Sequence, residues 1–194
     1  MKLSEKKSLK KKEQILLSAV KIVNRHGYDG ATMEEIAAEL LMTKGSLYYY
    51  FKNKGDLMYQ CHNLILSKAI DELKEHINEE DSAEEMLRNM IITHIDFAIE
   101  EQETFNLITR PYHTFNKEQL QEVLKLRKNY SGLFDQVIEK GLSSKAFKIK
   151  EPIIARMFML GSMNWIQQWY NPDGRLSKKE LQKIFGDYMI KLLK

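Results

Sequence analysis

The sequence predicts an all-α protein of about nine helices, and three observations favour this fold class. The chain of 194 residues has only three Pro and nine Gly, so few positions interrupt a helix. Apolar residues recur at spacings of three and four along most of the chain, which is the period of an amphipathic helix. No segment shows the regular apolar–polar alternation that is typical of a half-buried strand.

Helix-starting and helix-ending residues divide the first third of the chain. A first apolar stripe ends at Gly27, a residue type common just after the last turn of a helix. Thr32 and Glu35 form a capping box that opens a second helix. A third, very short helix is predicted around Leu47, and a long fourth helix opens near Asp56. The first two apolar stripes consist of Ile15, Ala19, Ile22 and Val23, then Met33, Ile36, Ala37 and Leu40.

The rest of the chain predicts five more helices. Ser82 with Glu85 and Ser177 with Glu180 form capping boxes, and Pro152 stands where a first-turn proline is tolerated. The five segments run from Ser82 through Ile99, across residues 105–109, from Asn116 to Gly141, from Pro152 to about Tyr170, and from Ser177 to the end of the sequence.

The second and third predicted helices, within residues 32–54, have the pattern of a helix-turn-helix. Thr43 is a suitable N-cap, so its hydroxyl and the free N–H groups of the first turn can meet a phosphate. Lys44 adds a positive charge there, and Gly45 lets the backbone approach a groove closely. Ser46 can bond to a base edge or to a phosphate. This pattern indicates a helix that contacts double-stranded DNA.

Aromatic and basic residues extend this candidate DNA surface. Tyr48 and Tyr49 are predicted to face outward, whereas Leu47 and Phe51 belong to the core. The alternative is that the tyrosines are partly core residues and that the lysine at position 44 is only a solvated surface charge. The predicted DNA-contacting residues are Thr32, Thr43, Lys44, Gly45, Ser46, Tyr48, Tyr49, Tyr50 and Lys54.

From about Lys11 to Leu57, the chain resembles the DNA-binding domain of the tetracycline-repressor (TetR) family of bacterial regulators. The resemblance implies a homodimer whose two recognition helices enter successive major grooves of a pseudo-palindromic operator. It also implies repression that is relieved by a small ligand in the C-terminal domain. The residues that carry it are Ile15, Ala19, Gly27-Tyr28, Thr32, Ile36-Ala37, the run from Thr43 to Phe51, Lys54 and Leu57.

One position departs from the family pattern. Leu41 stands at the turn position where the family usually has Gly, and Met42 stands where a branched apolar residue is usual. If Leu41 must adopt a positive φ, we expect a strain of about 1 kcal/mol or more.

The positive charge of the chain is concentrated at its N-terminus. The net charge of +3 divides into +5 for residues 1–12, −1 for residues 13–60 and −1 for the remainder. Such a segment is commonly a solvated, disordered tail. Because a helix-turn-helix follows it, we expect a flexible arm that contacts the DNA backbone or the adjacent minor groove.

We expect two domains, a DNA-binding domain at residues 1–55 and a ligand-binding and dimerisation bundle at residues 56–194. The last two helices resemble the pair that forms a four-helix interface between subunits in this family. An apolar face of the first of these helices predicts that interface, and an intrachain core face is the alternative. The predicted dimer residues are Met157, Leu160, Gly161 and Asn164.

The segment Gly161–Gly174 is similar to a family subgroup that responds to acyl-CoA thioesters. This similarity predicts a small apolar or amphipathic effector, with an acyl-CoA as the candidate. Arg110 and Arg156 could receive an anionic head group or form ordinary ion pairs, and the aromatic residues could line a cavity or only fill the core. The predicted effector-binding residues are Phe97, Phe105, Arg110, Tyr112, Phe134, Phe158, Trp165 and Trp169.

The sequence argues against an enzyme and predicts no catalytic residue, metal site or cofactor. The five His lack metal-ligand spacing, and no glycine-rich phosphate loop or GxSxG motif occurs. Cys61 and His62 are adjacent and therefore diverge on a helix. One Cys and no membrane-length apolar run favour a cytoplasmic protein with no membrane partner.

These features predict a dimeric, ligand-responsive DNA-binding regulator, usually a repressor. Three alternatives remain open: a constitutive DNA-binding protein without effector, a repressor that senses multiple drugs or aromatic compounds, and a helical binding protein with a vestigial motif.

Overall fold

The structure, a computed structural model, describes residues 3–100 and 115–194, with the backbone alone at residues 3, 4, 24, 28 and 29. All regular elements in these ranges are helices, which confirms the all-α prediction; the short segment predicted at residues 105–109 lies outside them. The helices are α1 (Leu3–Gly30), α2 (Met33–Glu39), α3 (Lys44–Tyr50), α4 (Lys54–Glu75), α5 (Ala83–Glu100), α6 (Lys117–Ser143), α7 (Pro152–Trp169) and α8 (Lys178–Leu193).

Helix α1 begins earlier than the sequence predicted. Residues 3–12 form its first turns, so the expected flexible arm is wrong for this stretch. Leu, Lys and Glu are strong helix formers and no Gly or Pro occurs before Gly27, so the helix anchored by buried Ile15 and Ala19 extends backward. The helical backbone breaks at Gly27, with φ 72° and ψ 167°, where the sequence predicted its end.

The described residues divide into two compact units. The first contains residues up to Ile65 and residues 115–124, and the second contains Leu66 to Glu100 and Lys125 to Lys194. Helix α4 therefore begins in the first unit and continues into the second. The functional boundary predicted at residue 55 stays a prediction.

A single apolar core holds the first unit together. Apolar side chains of α1 to α4 meet there with Leu120 and Val123 of α6 and with Phe115 just before it, because each helix turns its apolar stripe inward. The most deeply buried members are Ile15, Ala19, Ala31, Ile36, Leu47, Phe51, Leu57, Met58, Cys61 and Val123.

The second unit has its own core, in which α5 packs against α7 and α8. Charged pairs tie α8 to α5 at its edge: Arg88 lies 2.8 Å from Asp187, and Lys178 lies 2.7 Å from Asp96. The largest buried members of the core are Leu73, Met86, Leu87, Met90, Ile91, Phe134, Ile138, Phe147 and Met163.

Helix α6 continues to Ser143, past its predicted end at Gly141. A Cβ on Gly141 would lie 2.0 Å from a ring carbon of Phe147. This glycine therefore makes room for a buried ring, and the left-handed residue after the helix is Lys145, with φ 61°.

None of the helices that the structure describes is both long and apolar enough to cross a membrane. Within the same residues, no group of three or more His, Cys, Asp or Glu could hold a metal ion. The Cys61 thiol donates to the Leu16 carbonyl over 3.4 Å, and burial raises its pKa. A buried, protonated thiol is a poor nucleophile.

Candidate nucleic-acid interface

The start of α2 is fixed by the capping box that the sequence predicted. The Glu35 N–H donates to the Thr32 hydroxyl over 3.2 Å, and the Thr32 N–H donates to the Glu35 carboxylate over 2.9 Å. The bonds that the Thr32 N–H and the Thr32 hydroxyl donate to the carboxylate lower the pKa of Glu35. The side chain of Thr32 is exposed, but its hydroxyl already forms the bonds of the cap.

The turn between α2 and α3 is a tight C-terminal cap of α2. The Met42 N–H donates to the Ala37 carbonyl over 2.8 Å, and the Leu41 N–H donates to the Ala38 carbonyl over 3.0 Å. This pair of bonds defines a Schellman motif, which places its middle residue in the left-handed region. Leu41 has φ 52°, so the residue that departs from the family pattern adopts the positive φ on which the expected strain depends.

Helix α3 begins at a threonine cap. The Ser46 N–H donates to the Thr43 hydroxyl over 3.1 Å, and the two side-chain oxygens lie 2.8 Å apart. A Cβ on Gly45 would meet only the Thr43 hydroxyl oxygen, at 4.0 Å. The space beside Gly45 is therefore open on the outside of the helix.

The two faces of α3 differ as the sequence predicted. Leu47 is fully buried, and Phe51, the residue after the helix, is 1% exposed. Tyr48 is 42% and Tyr49 81% exposed, and Tyr50 is half-buried against both Tyr49 and Phe51. An outward face of phenols, hydroxyls and open backbone can form hydrogen bonds and apolar contacts with base edges.

Lys44 is the cation of this outward face, and it has partners on both sides. Its ammonium forms an ion pair with the Glu34 carboxylate of α2 and lies 5.8 Å from the ring centroid of Tyr48. The hydrogen bond that Lys44 donates to Glu34 raises the pKa of Lys44, and the same bond lowers the pKa of Glu34. The sequence predicted Lys44 on this face but not the part of Glu34, because an acidic residue near a helix start is usually solvated.

The N-terminus of α4 adds the last predicted DNA residue. Asn53 and Asp56 cap this end: the Asp56 N–H donates to the Asn53 side chain, and the Lys52 N–H donates to the Asp56 carboxylate, both over 2.9 Å. The helix accordingly starts at Lys54, two residues before the predicted opening. Lys54 is half-buried at this first position.

The basic segment of α1 borders a groove with an apolar floor. Lys12 lies 5.8 Å from the ring centroid of Phe51, which brings the end of this segment close to the end of α3. The groove has a volume of about 920 Å³ and is lined by Lys6, Lys7, Leu9, Lys10, Lys12, Glu13, Leu16, Gln60, Asn63 and Leu64. Because residues 5–12 lie in the helix, the lysines among them are arranged along a helical surface and not along a flexible tail.

The predicted dimer residues lie on or beside an exposed apolar face of α7. Met157 and Gly161 are exposed, Leu160 is half-buried against the core, and Asn164 is half-buried with its side-chain oxygen 3.1 Å from His94 Nε2. The exposed large apolar residues of α7 and α8 are Ile153, Ile154, Met157, Phe158, Trp165, Trp169, Tyr188 and Leu192. A groove of about 360 Å³ between the two helices opens on this face.

The predicted effector residues that the structure describes differ in their burial. Phe134 is fully buried in the core, and Phe97 is half-buried. Phe158, Trp165 and Trp169 are instead 67%, 64% and 48% exposed on the apolar face of α7. Phe105, Arg110 and Tyr112 lie outside the described residues.

Two polar arrangements in the second unit bear on the effector prediction. Arg156 Nε lies 2.6 Å from the Asp135 carboxylate, the ion-pair alternative that the sequence left open. Buried His94 has one ring nitrogen 2.8 Å from the Tyr130 hydroxyl and the other 3.1 Å from Asn164. The sequence did not predict this cluster, because its members come from α5, α6 and α7 and show no local spacing.

A short capped helix, a tight turn and a second short helix with an exposed polar face define a helix-turn-helix DNA-binding protein. Two family models match the chain: "Bacterial regulatory proteins, tetR family" at residues 15–61, and "Tetracyclin repressor-like, C-terminal domain" at residues 80–193. The second match alone spans more than half of the sequence. The chain belongs to the TetR family, whose members are DNA-binding transcriptional regulators and not enzymes.

Individual relatives agree with this family. The fatty acid metabolism regulator protein of Bacillus subtilis is 25% identical over 154 residues, which cover 78% of each chain. A crystal structure of AibR with isovaleryl coenzyme A and operator DNA has a TM-score of 0.79 at 23% identity, covering 94% of this chain and 97% of AibR. The fatty acid degradation regulator FadR of Bacillus halodurans has a TM-score of 0.77 at 22% identity, covering 94% and 99%.

Proposed function

We propose that this chain is a repressor that binds a pseudo-palindromic operator as a homodimer and leaves it when a small amphipathic effector binds. The observation that carries the DNA-binding part is the outward face of α3, where Lys44, Ser46, Tyr48 and Tyr49 are exposed and Gly45 leaves the backbone open. A DNA-binding regulator of a bacterium works in the cytoplasm, and we propose that location.

The homodimer part is supported by the exposed apolar face of α7 and α8. Eight large apolar side chains lie in the open on these two helices, whereas monomeric proteins rarely expose so large a continuous apolar surface. A second copy can cover this face with its own, because a two-fold interface uses the same patch on both subunits. Phe158, Trp165 and Trp169 belong to that face, which favours a role in the interface over one in a cavity wall.

A dimer also explains how an effector would act. Two half-sites one helical turn apart require recognition helices about 34–36 Å apart. An effector that binds the DNA-free arrangement more tightly would increase the population of dimers whose recognition helices lack that spacing. Helix α4 is the candidate transmitter, since it starts beside α3 and its other end belongs to the second unit.

We propose an acyl-CoA thioester as the effector. The support comes from the Gly161–Gly174 segment and from relatives named as regulators of fatty acid metabolism or degradation. AibR, which has a similar fold, is known in complex with isovaleryl coenzyme A. Phe97, Phe134 and the predicted residues Phe105, Arg110 and Tyr112 remain the candidates for lining its site.

Selection from a random DNA library tests the DNA-binding part. We expect enrichment of a two-fold-related sequence that the chain binds about a thousandfold more tightly than random DNA at equal salt. Lys44→Gln and Tyr48→Ala should weaken this complex, whereas Lys179→Gln, an equal charge change at an exposed position of α8, should not. Equal affinity for selected and random DNA would favour a constitutive, non-specific binder, and intact binding in both α3 variants would favour a vestigial motif.

A thermal-shift series tests the effector. Acyl-CoA thioesters of increasing chain length should raise the melting temperature and release selected DNA, whereas free coenzyme A should do so much less. If aromatic or cationic drugs act and no thioester does, the acyl-CoA proposal is wrong and the multidrug alternative takes its place. If no compound releases the DNA, the constitutive alternative is favoured.

A further inference from the structure

The Glu34–Lys44 pair links the two helices of the helix-turn-helix through their side chains. Glu34 is the second residue of α2 and Lys44 is the first residue of α3. Both side chains are 56% exposed, so the pair lies at the surface and not in the core. The carboxylate is not needed for capping, because Glu35 performs that role with Thr32.

The pair keeps a negative charge next to the cation that would meet DNA. A phosphate that approaches Lys44 must either displace the carboxylate or accept it as a neighbour of like charge. Either outcome lowers the gain from neutralising that phosphate. The hydrogen bond that Glu34 accepts from Lys44 lowers the pKa of Glu34, so the carboxylate stays ionised at neutral pH.

The helix-turn-helix carries little positive charge, so a single carboxylate can change its affinity for DNA. Residues 13–60 carry a net charge of −1, whereas residues 1–12 carry +5. The general attraction to polyanions therefore belongs to the basic start of α1. The helix-turn-helix has few cations, and Lys44 is one of only two among its predicted DNA contacts, beside Lys54.

We propose that Glu34 competes with DNA phosphate for Lys44, and thereby suppresses binding to non-specific DNA. This inference rests on the proposed function. Non-specific complexes depend almost entirely on phosphate contacts, so one contested cation accounts for a substantial share of their binding free energy. A specific complex adds base contacts from the outward face of α3. The carboxylate imposes its cost on both complexes, and the base contacts keep the specific complex the tighter of the two.

The test measures binding of Glu34→Gln to random DNA across a salt series. We expect tighter binding than wild type and a slope of log K against log salt that is steeper by up to about 0.9 per protomer, as one more phosphate contact would give. The gain should therefore shrink about threefold per protomer between 50 mM and 200 mM salt. Affinity for the selected operator should also rise, because that complex makes the same phosphate contact in addition to its base contacts.

Glu39→Gln is the matched control. It makes the same charge change on the same helix and releases Arg25 from an exposed ion pair of 3.1 Å. We expect a smaller gain and an unchanged salt slope. Equal gains for the two variants would mean that only net charge matters, and would overturn the proposal.

A double-mutant cycle separates competition from a general field effect. In a Lys44→Gln background, Glu34→Gln should give little further gain, because the contested cation is absent. An undiminished gain there would overturn the proposal. Glu34→Asp keeps the charge and should behave like wild type, and all variants should melt close to wild type because the pair is exposed.

The failures of the two proposals are distinguishable. If the wild-type chain binds no DNA at any salt, the proposed function fails. If the wild type binds selected DNA but Lys44→Gln binds it equally well, the regulator stands and the role of Glu34 is overturned.

Discussion

The Met42 N–H donates to the carbonyl oxygen of Ala37 over 2.8 Å, and this bond closes the turn of the helix-turn-helix around Leu41. The closure leaves Leu41 at φ 52°, a region that costs an L-residue about 1–2 kcal/mol. Its side chain is 97% exposed, so packing does not offset that cost. The turn geometry is set by the flanking helices, and Leu41 adapts to it.

We predict that Leu41→Gly stabilises the chain by up to about 1 kcal/mol, because glycine adopts this φ without strain. The greater entropy of glycine in the unfolded chain offsets part of that gain. Urea unfolding of the two proteins measures the difference. Leu41→Ala is the control: it removes the exposed side chain but keeps the Cβ, so it should leave stability nearly unchanged. Equal stability of all three proteins would show that the strain is absent.

The helix-turn-helix was predictable because its determinants are local. Thr32 with Glu35 and Thr43 with Ser46 cap helices through bonds between residues three apart, so spacing in the sequence reveals them. The departure of Leu41 from the family pattern marked the position of the turn, but the sequence left the geometry of that turn open.

Most of the features that the sequence did not predict depend on contacts between residues that are far apart in the chain. Glu34 and Lys44 are ten positions apart, and the partners of His94 lie in two other helices, so neither pairing has a periodic pattern. The start of α1 is helical because a helix that is anchored further along the chain propagates backward. The net charge of these residues gives no information on that. Exposure of Trp165 was also unpredictable, because an apolar stripe does not tell which partner covers it.

We predict that Gly45→Ala separates stability from DNA binding. Alanine is favoured over glycine in a helix by up to about 1 kcal/mol, and the added Cβ meets only the Thr43 hydroxyl oxygen at 4.0 Å. Stability to urea should therefore stay equal or rise. Binding to selected DNA should weaken by about tenfold, the equivalent of 1.4 kcal/mol, because the methyl group holds the backbone away from the groove. Unchanged DNA binding would mean that this turn of α3 does not approach DNA closely.

We predict that the chain loses stability in mild acid through His94. Burial lowers the pKa of His94 from its ordinary 6.5 to about 4. Between these two values the unfolded chain binds a proton that the folded chain does not, so stability is full above pH 6.5 and falls as the pH drops toward 4. The loss from this group at pH 5 should be about 2 kcal/mol.

Urea unfolding at pH 7.5 and pH 5.0 measures this loss. His94→Gln should be less stable at pH 7.5, because the Tyr130 hydroxyl loses its partner, but should lose about 2 kcal/mol less between the two pH values. Tyr130→Phe is the matched control, since it removes one bond to His94 but keeps the imidazole buried, and its pH dependence should match wild type. An unchanged pH dependence in His94→Gln would assign the acid loss to other groups.

Gly161 tests whether the apolar face of α7 is the dimer interface. It is exposed and no atom lies within 4 Å of an added Cβ, so Gly161→Arg should fold as the wild type does. A charged side chain at a buried, self-complementary contact would meet its own copy across the two-fold axis, so the dimer should dissociate at micromolar concentration. Sedimentation should show the mass falling from twice the 22.9 kDa chain mass to the chain mass itself.

Gly132→Arg on α6 is the control, because that glycine also has open space around its Cβ position, and it should stay dimeric. Because one recognition helix cannot span both half-sites, Gly161→Arg should also lose most of its affinity for selected DNA, and a dimeric Gly161→Arg would place the interface elsewhere.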